Sequence, residues 1–310
     1  MSARKAETES AAAAPASKAK STPAPSRGKR WLAVIVLTPL FLVGVGVLAW
    51  KRVAPHVTTS AEYQIGPDSI DLQPRLPRWI HSDITAEVMR DASLDAPLSV
   101  LQPDLTLRIA QAYGAHPWIA KVHRVSKHRP AKVEVEVSYR QPVAMVRAGE
   151  GTYPIDAEGV VLPSSDFSPA DIDRYPQIVE ITSQPQGPVG TRWQDARVQG
   201  GAAIAGGIFK DWHSLRLARI VAVGQPTVEG DRETWSYELF TPSGTRILWG
   251  RPPGREMNGE LPAAQKLARL VGQAAGGSLE AAPDRIIDIR TSVTPLPERP
   301  AQRPQPSVGR

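Results

Sequence analysis

The run from Trp31 to Trp50 is twenty residues without a charged side chain, bracketed by Lys29-Arg30 and Lys51-Arg52. An apolar stretch of this length has few ways to shelter its side chains and satisfy its backbone together. As a helix rising about 1.5 Å per residue it would reach roughly 30 Å, the thickness of a bilayer's hydrocarbon core. The terminal tryptophans suit an interfacial aromatic belt, and Thr38-Pro39 in mid-run predicts a kink of the kind membrane helices tolerate. A cleavable signal peptide has a shorter apolar stretch and a small-residue exit, whereas this run is preceded by thirty residues and leaves through Trp50-Lys51-Arg52. A buried core helix would carry a polar face, and this run shows none. The expectation is a single transmembrane helix at 31–50. The fifteen residues before it hold five Lys or Arg and the fifteen after it two, which places the N-terminus in the cytoplasm and the rest outside the cytoplasmic membrane.

Charge has to be partitioned before it is interpreted. The chain has a formal charge of +6 and a pI near 9.6, which by itself suggests a nucleic-acid partner. Residues 1–52, however, carry nine Lys or Arg against two Glu, so the remaining chain holds 28 basic and 29 acidic groups and is close to neutral. A basic flank beside an apolar span points to anionic membrane lipids, and no nucleic acid is expected. The absence of cysteine excludes a disulfide framework, a Cys-ligated zinc site and a thiol nucleophile. The thirty prolines gather at the two ends and in loops. Residues 1–30, rich in Ala, Ser, Pro and Lys, and residues 294–310, with five prolines, cannot bury a core and are expected to be disordered tails.

Past a juxtamembrane linker at 51–62, the pattern reads as strand, helix, helix, strand, strand. Tyr63 to Leu72 alternates loosely as a first strand; Ser82-Asp83 caps a short helix from Ile84 to Asp91; and a second helix runs from Asp104 to about Tyr113, with Gly114 as its C-cap. Pro117 to Val125 is a strand, and Ala131 to Tyr139 alternates strictly, with Val133, Val135 and Val137 on one side. From Gly149 strands dominate. A hairpin turns at Asp156-Ala157-Glu158-Gly159; further strands are expected at Ile178 to Ile181, Leu215 to Val223, Trp235 to Phe240, Thr245 to Leu248 and Arg285 to Arg290. Helices are expected at Asp195 to Phe209 and Pro262 to Gln273. The fold class is therefore α+β: a transmembrane helix, a small unit with two helices on one face of a sheet at 63–147, and a β-rich second domain at 148–293.

These residues carry a family likeness. Pro117-Trp118-Ile119 entering the second strand of the small unit, and Tyr139-Arg140-Gln141-Pro142-Val143-Ala144 leaving the third, resemble the POTRA domain of the bacterial cell-division protein family FtsQ/DivIB. Ile155-Asp156-Ala157-Glu158-Gly159-Val160 resembles that family's Asp-x-x-Gly hairpin, and Tyr175-Pro176-Gln177-Ile178 its next strand entry. Leu248-Trp249-Gly250-Arg251 is similar to its Leu-Gly-Arg strand end, and Ile287-Asp288-Ile289-Arg290 to its Asp-x-Arg strand. The likeness covers roughly 31–290 in matching order. It implies a non-enzymatic, membrane-anchored scaffold of the division machinery, placed at the division site. Its partners would be small bitopic division proteins of the FtsB/FtsL type and other septal membrane proteins. Carried over by position, Arg251, Asp288 and Arg290 would be partner contacts, since Arg offers a fixed fork of donors to a carboxylate. The chain departs from the family where Thr291-Ser292-Val293 runs into Pro295 and Pro297, which predicts a shortened last edge. A POTRA-bearing envelope-assembly or secretion adaptor is the alternative.

No constellation reads as chemistry. Lys121, His123, Arg124, Lys127, His128 and Arg129 form a basic cluster without a carboxylate at ligand spacing, and a solvated face is expected there. Gly200-Gly201 and Gly206-Gly207 lack the Gly-Lys-Ser/Thr ending of a phosphate loop and predict close helix packing. Asp156/Glu158 and Asp171/Asp173 lie in turn-rich sequence and read as turn formers. No catalytic residue, cofactor, metal or small-molecule substrate is expected.

Overall fold

The computed structural model describes residues 38–52, 63–92, 98–229, 232–277, 279 and 285–292. The expected tails at 1–30 and 294–310, residues 31–37 of the apolar run and most of the expected linker lie outside them.

The transmembrane expectation is corrected. The first helix, α1, occupies 38–52, and among the described residues no helix is long and apolar enough to cross a membrane. Fifteen residues rise about 22 Å at 1.5 Å each, short of a hydrocarbon core of roughly 30 Å, and the last two are Lys51 and Arg52. Pro39 is the second described residue of α1, and the residues before Thr38, on which the expected kink depends, lie outside those described. The orientation inferred from flanking charge rested on that span. α1 belongs to a unit of its own, residues 1–57, and residues 58–310 form the second.

In that second unit the sequence between Tyr63 and Leu72 does not run as one strand. Gly66-Pro67 breaks it into β1 (Gln64–Ile65), a 3-10 turn (Pro67–Ser69) and β2 (Ile70–Gln73). Asp83 does cap helix α2 (Ile84–Asp91): its carboxylate accepts the Ala86 N–H at 3.0 Å, satisfying one of the donors a helix start leaves open. A two-residue strand, β3 (Leu98–Ser99), pairs antiparallel with β1. Helix α3 (Leu105–Ala115) runs through Gly114 and is capped at His116 rather than at the glycine. His116 holds that corner: its Nδ1 accepts the Trp118 N–H at 3.3 Å, so the proton sits on Nε2, which donates to Glu87 Oε2 at 3.0 Å.

β4 (Ile119–His128) and β5 (Lys132–Tyr139) form an antiparallel pair, with β2 added parallel to β5, giving the order β2-β5-β4. Val133, Val135 and Val137 are buried with Ile84, Val88, Leu105 and Ile109 in one hydrophobic cluster, the outcome that a period of two on one face and 3.6 on the other requires.

A seven-stranded mixed sheet follows, in the order β12-β11-β10-β9-β8-β6-β7. Its strands are β6 (Pro142–Ala148), β7 (Gly151–Asp156), β8 (Gln177–Ile181), β9 (Arg219–Glu229), β10 (Arg232–Phe240), β11 (Arg246–Gly250) and β12 (Ile286–Asp288). Between β7 and β8 lies a single helical turn, α4 (Pro169–Ile172). Helix α5 (Ala196–Ile208) lies on the sheet against β6, β8, β9 and β10, and α6 (Ala263–Ala275) packs beside it. α5 buries most of its circumference, which its small residues permit. A Cβ on Gly200 would collide with the Tyr237 hydroxyl, and one on Gly201 would lie 3.0 Å from Ile178, so the glycine pair lets the helix seat directly on β10 and β8. The Tyr237 hydroxyl is turned to the helix backbone, 3.0 Å from the Ala196 carbonyl and 2.9 Å from that of Arg197, and burial pushes its pKa well above the ordinary tyrosine value.

The two sheets meet over a short link. Only Arg140 and Gln141 separate β5 from β6. The Arg140 N–H donates to the Trp118 carbonyl at 2.8 Å, its own carbonyl accepts Trp79 Nε1 at 3.1 Å, and its guanidinium lies 2.7 Å from Asp156 Oδ2. A second tie is the buried Asp166, which accepts Trp118 Nε1 at 2.6 Å across 48 residues of sequence.

Candidate functional site

The margin of the large sheet at β11 and β12 collects the residues singled out by position. β11 buries Ile247 and Trp249 and ends at Gly250, whose φ of +83° is left-handed backbone that side chains seldom adopt. The reversal there turns the next N–H, that of Arg251, onto Glu260 Oε1 at 2.7 Å. Lys266 of α6 reaches the same oxygen at 2.7 Å and the Arg251 carbonyl at 3.1 Å, with its ammonium 5.3 Å from the centre of the Trp249 ring. Lys266 is completely buried, and the Glu260 carboxylate is nearly so. A buried charge pair persists only with such dense hydrogen bonding, because desolvation otherwise exceeds the Coulombic gain. The one buried side-chain donor without a partner among the described residues, Trp249 Nε1, lies in this same layer.

Arg251 is placed inward. Its side chain is buried and donates to the Thr234 carbonyl and the Thr227 hydroxyl, tying the end of β11 to the hairpin of β9 and β10. Asp288 and Arg290 stand at the open edge instead. Arg290 Nη2 lies 2.7 Å and Nε 3.0 Å from the Asp288 carboxylate, and the Arg290 backbone N–H donates to it at 2.9 Å. The Arg290 side chain is 45% exposed and that of Asp288 22%. Hydrogen bonding to Arg290 holds the Asp288 carboxyl below the usual carboxylate range against a partial desolvation, and the Arg290 pKa is raised in return. α6 and the segment leading into it anchor the edge from behind: the Leu261 N–H donates to the Arg290 carbonyl at 2.7 Å, and Arg269 of α6 to the carbonyl of Thr291. Thus the structure gathers Arg251, Asp288 and Arg290 around Gly250 and Glu260, with Arg251 internal and the other two presented. Sequence reasoning passed over Glu260 and Lys266; a lysine in the apolar stripe of an amphipathic helix is the only local signal they leave.

β12 is short, running from Ile286 to Asp288 where Arg285 to Arg290 was expected, and it pairs parallel with β11. Its other side is unpaired among the described residues, and Ile286 is 59% exposed.

The remaining candidates resolve into structural pairings. The basic cluster on β4 faces carboxylates supplied across the ladder by β5: Arg124 pairs with Glu136, and His128 lies 3.3 Å from Glu134. Neither acid is visible from spacing along the chain. Among the described residues no group of three or more His, Cys, Asp or Glu is placed to hold a metal ion. Asp156 Oδ1 accepts the N–H of Glu158 and of Val160, both at 2.9 Å, and so builds the hairpin whose Gly159 takes φ +76°. Asp171 forms a capping box with Ser168, whose hydrogen bonds lower its pKa. Asp173 is the acid partner of Arg147, at 3.8 Å.

What fold and edge define is a mixed α+β protein whose large sheet ends, among the described residues, in an open strand. The chain is similar to the cell division protein FtsQ of Myxococcus fulvus, with 32% identity over 136 residues. That match covers 43% of this chain and 43% of the relative, so it spans less than half of either. No family model matches.

Proposed function

We propose that the chain is a non-enzymatic adaptor of the cell-division machinery, with a POTRA-like module at 63–147 and a β module at 148–293. Its β12 edge receives a small bitopic division protein of the FtsB/FtsL type, and Asp288 and Arg290 contact that partner. The observation that carries this reading is the edge itself: a strand unpaired on one side among the described residues, with one exposed apolar side chain and an ion pair backed by α6 and the segment leading into it. An extended or helical partner meets backbone groups ready for strand addition and an Arg290 guanidinium that Asp288 holds in place through Nε and Nη2, leaving Nη1 to donate to a partner carboxylate. The partial similarity to a cell division protein supports the cellular setting.

Two outcomes test it. A fluorescent fusion to the full chain is expected to concentrate at the division site; an even distribution through the cell cycle argues against a division role. Arg290→Glu is expected to lower recovery of the partner from cell extracts by about tenfold, the equivalent of removing one charge-assisted hydrogen bond, while the chain stays folded with a loss of about 1 kcal/mol from the broken, half-exposed pair with Asp288. Unchanged recovery removes Arg290 from the interface.

A further inference from the structure

A second surface lies beside α4, apart from the residues of the β12 edge. Four half-buried aromatic rings, Trp79, Phe167, Tyr175 and Phe209, line a cleft of about 380 Å³. Three of them are interlocked: Phe167 meets Tyr175 edge-on at 5.7 Å, Tyr175 stacks on Phe209 at 5.9 Å, and buried Trp118 backs Phe167 at 6.2 Å. The rigidity of such a ladder lets rings stay partly uncovered without collapsing onto one another.

The polar groups around the rings are unequal in what they have left to offer. Both carboxylates are committed. Asp166 accepts Trp118 Nε1 at 2.6 Å and the Ser82 hydroxyl at 3.2 Å; Asp171 accepts the Ser168 hydroxyl at 2.6 Å and its N–H at 3.2 Å. The cations are not. The side chains of Arg78 and His213 have no hydrogen-bond or ion-pair partner among the described residues, and Arg174 lies 3.7 Å from Asp171 with a side chain 73% exposed, a weak surface pairing that a better acceptor can displace. His81 is fixed through Nδ1, 3.0 Å from the Asp166 carbonyl. An apolar floor under two available guanidinium forks calls for a ligand that is flat or apolar at one point and carries carboxylates on either side.

We propose that this cleft docks a short acidic segment of a partner protein, with one aromatic or large apolar side chain seated among Trp79, Phe167, Tyr175 and Phe209 and flanking Asp or Glu side chains held by Arg78 and Arg174. A volume of about 380 Å³ accepts one large side chain with its backbone; Asp166 and Asp171 keep their charge but their oxygens are already hydrogen-bonded, so the charged groups with hydrogen-bonding capacity to spare, Arg78 and Arg174, are both donors. The proposal does not rest on the division reading; it needs only the geometry of the cleft.

The test is fluorescence anisotropy of the full chain with a labelled peptide, Glu-Asp-Phe-Glu-Asp with blocked ends. Saturable binding is expected, weakened by added salt and weakened about a hundredfold by Arg78→Glu with Arg174→Glu, about tenfold for each charge-assisted hydrogen bond removed. Both positions are exposed, so the double variant should keep its fold, and Arg290→Glu should leave this binding unchanged. The proposal is overturned if no saturable binding appears below about 1 mM, if the double variant binds equally, or if a Lys-Lys-Phe-Lys-Lys peptide binds as well. Equal competition by benzoate or inorganic phosphate would reassign the cleft to a small anion and likewise overturn it.

Discussion

Replacing Lys266 by alanine is expected to destabilise the chain by about 3–5 kcal/mol, the usual cost of breaking a buried ion pair from one side. The substitution removes a wholly buried ammonium and leaves the Glu260 carboxylate enclosed with only the N–H groups of Arg251 and Met257 for company, at 2.7 and 3.0 Å. It also strips the Arg251 carbonyl of its donor. The measurement is urea unfolding followed by tryptophan emission. Combining Lys266→Met with Glu260→Gln removes both charges while retaining an acceptor for the Arg251 N–H, and should recover most of the loss. If Lys266→Ala costs less than about 1 kcal/mol, the pair is not desolvated in the way its burial implies.

Gly250→Ala is the second large effect, and two independent penalties combine in it. The backbone at φ +83° disfavours any side chain, a cost of order 1–3 kcal/mol. The new methyl would also collide with Glu260 Oε1 and lie 3.2 Å from the Arg290 side chain. That oxygen cannot swing aside cheaply, because the Arg251 N–H and the Lys266 ammonium both bond it, so overpacking adds about another 1–3 kcal/mol. Gly254 supplies the control: it has φ +73° and nothing within 4 Å of a Cβ, so Gly254→Ala reports the backbone cost alone. The two variants should differ in unfolding free energy by the packing term, and equal losses would mean that Glu260 yields freely.

The parts of the fold legible in the sequence are those governed by local rules. Val133, Val135 and Val137 announce β5 by alternation, Asp83 announces α2 by its capping geometry, and Asp156 to Gly159 announces a hairpin. β6 leaves no such signature. Pro142 to Met145 and Val146 are buried in succession, as in a strand covered on both faces, and a short continuous apolar run does not distinguish strand from helix. Of the apolar run at Trp31, the described residues place 38–50 in α1, and no described helix is long and apolar enough to cross a membrane; hydropathy counts residues and does not report that. The candidate site was half visible. Position singled out Arg251 together with Asp288 and Arg290, but only packing turns Arg251 inward and the other two outward. Glu260 and Lys266 are important because of what lies across the fold from them, and no spacing along the chain encodes that.

The Arg140 link has a mechanical consequence. Two residues between strands, pinned by three polar interactions, leave no slack for one sheet to pivot against the other. A tug on β12 would therefore be passed through the large sheet to the small one instead of being absorbed at a waist between them.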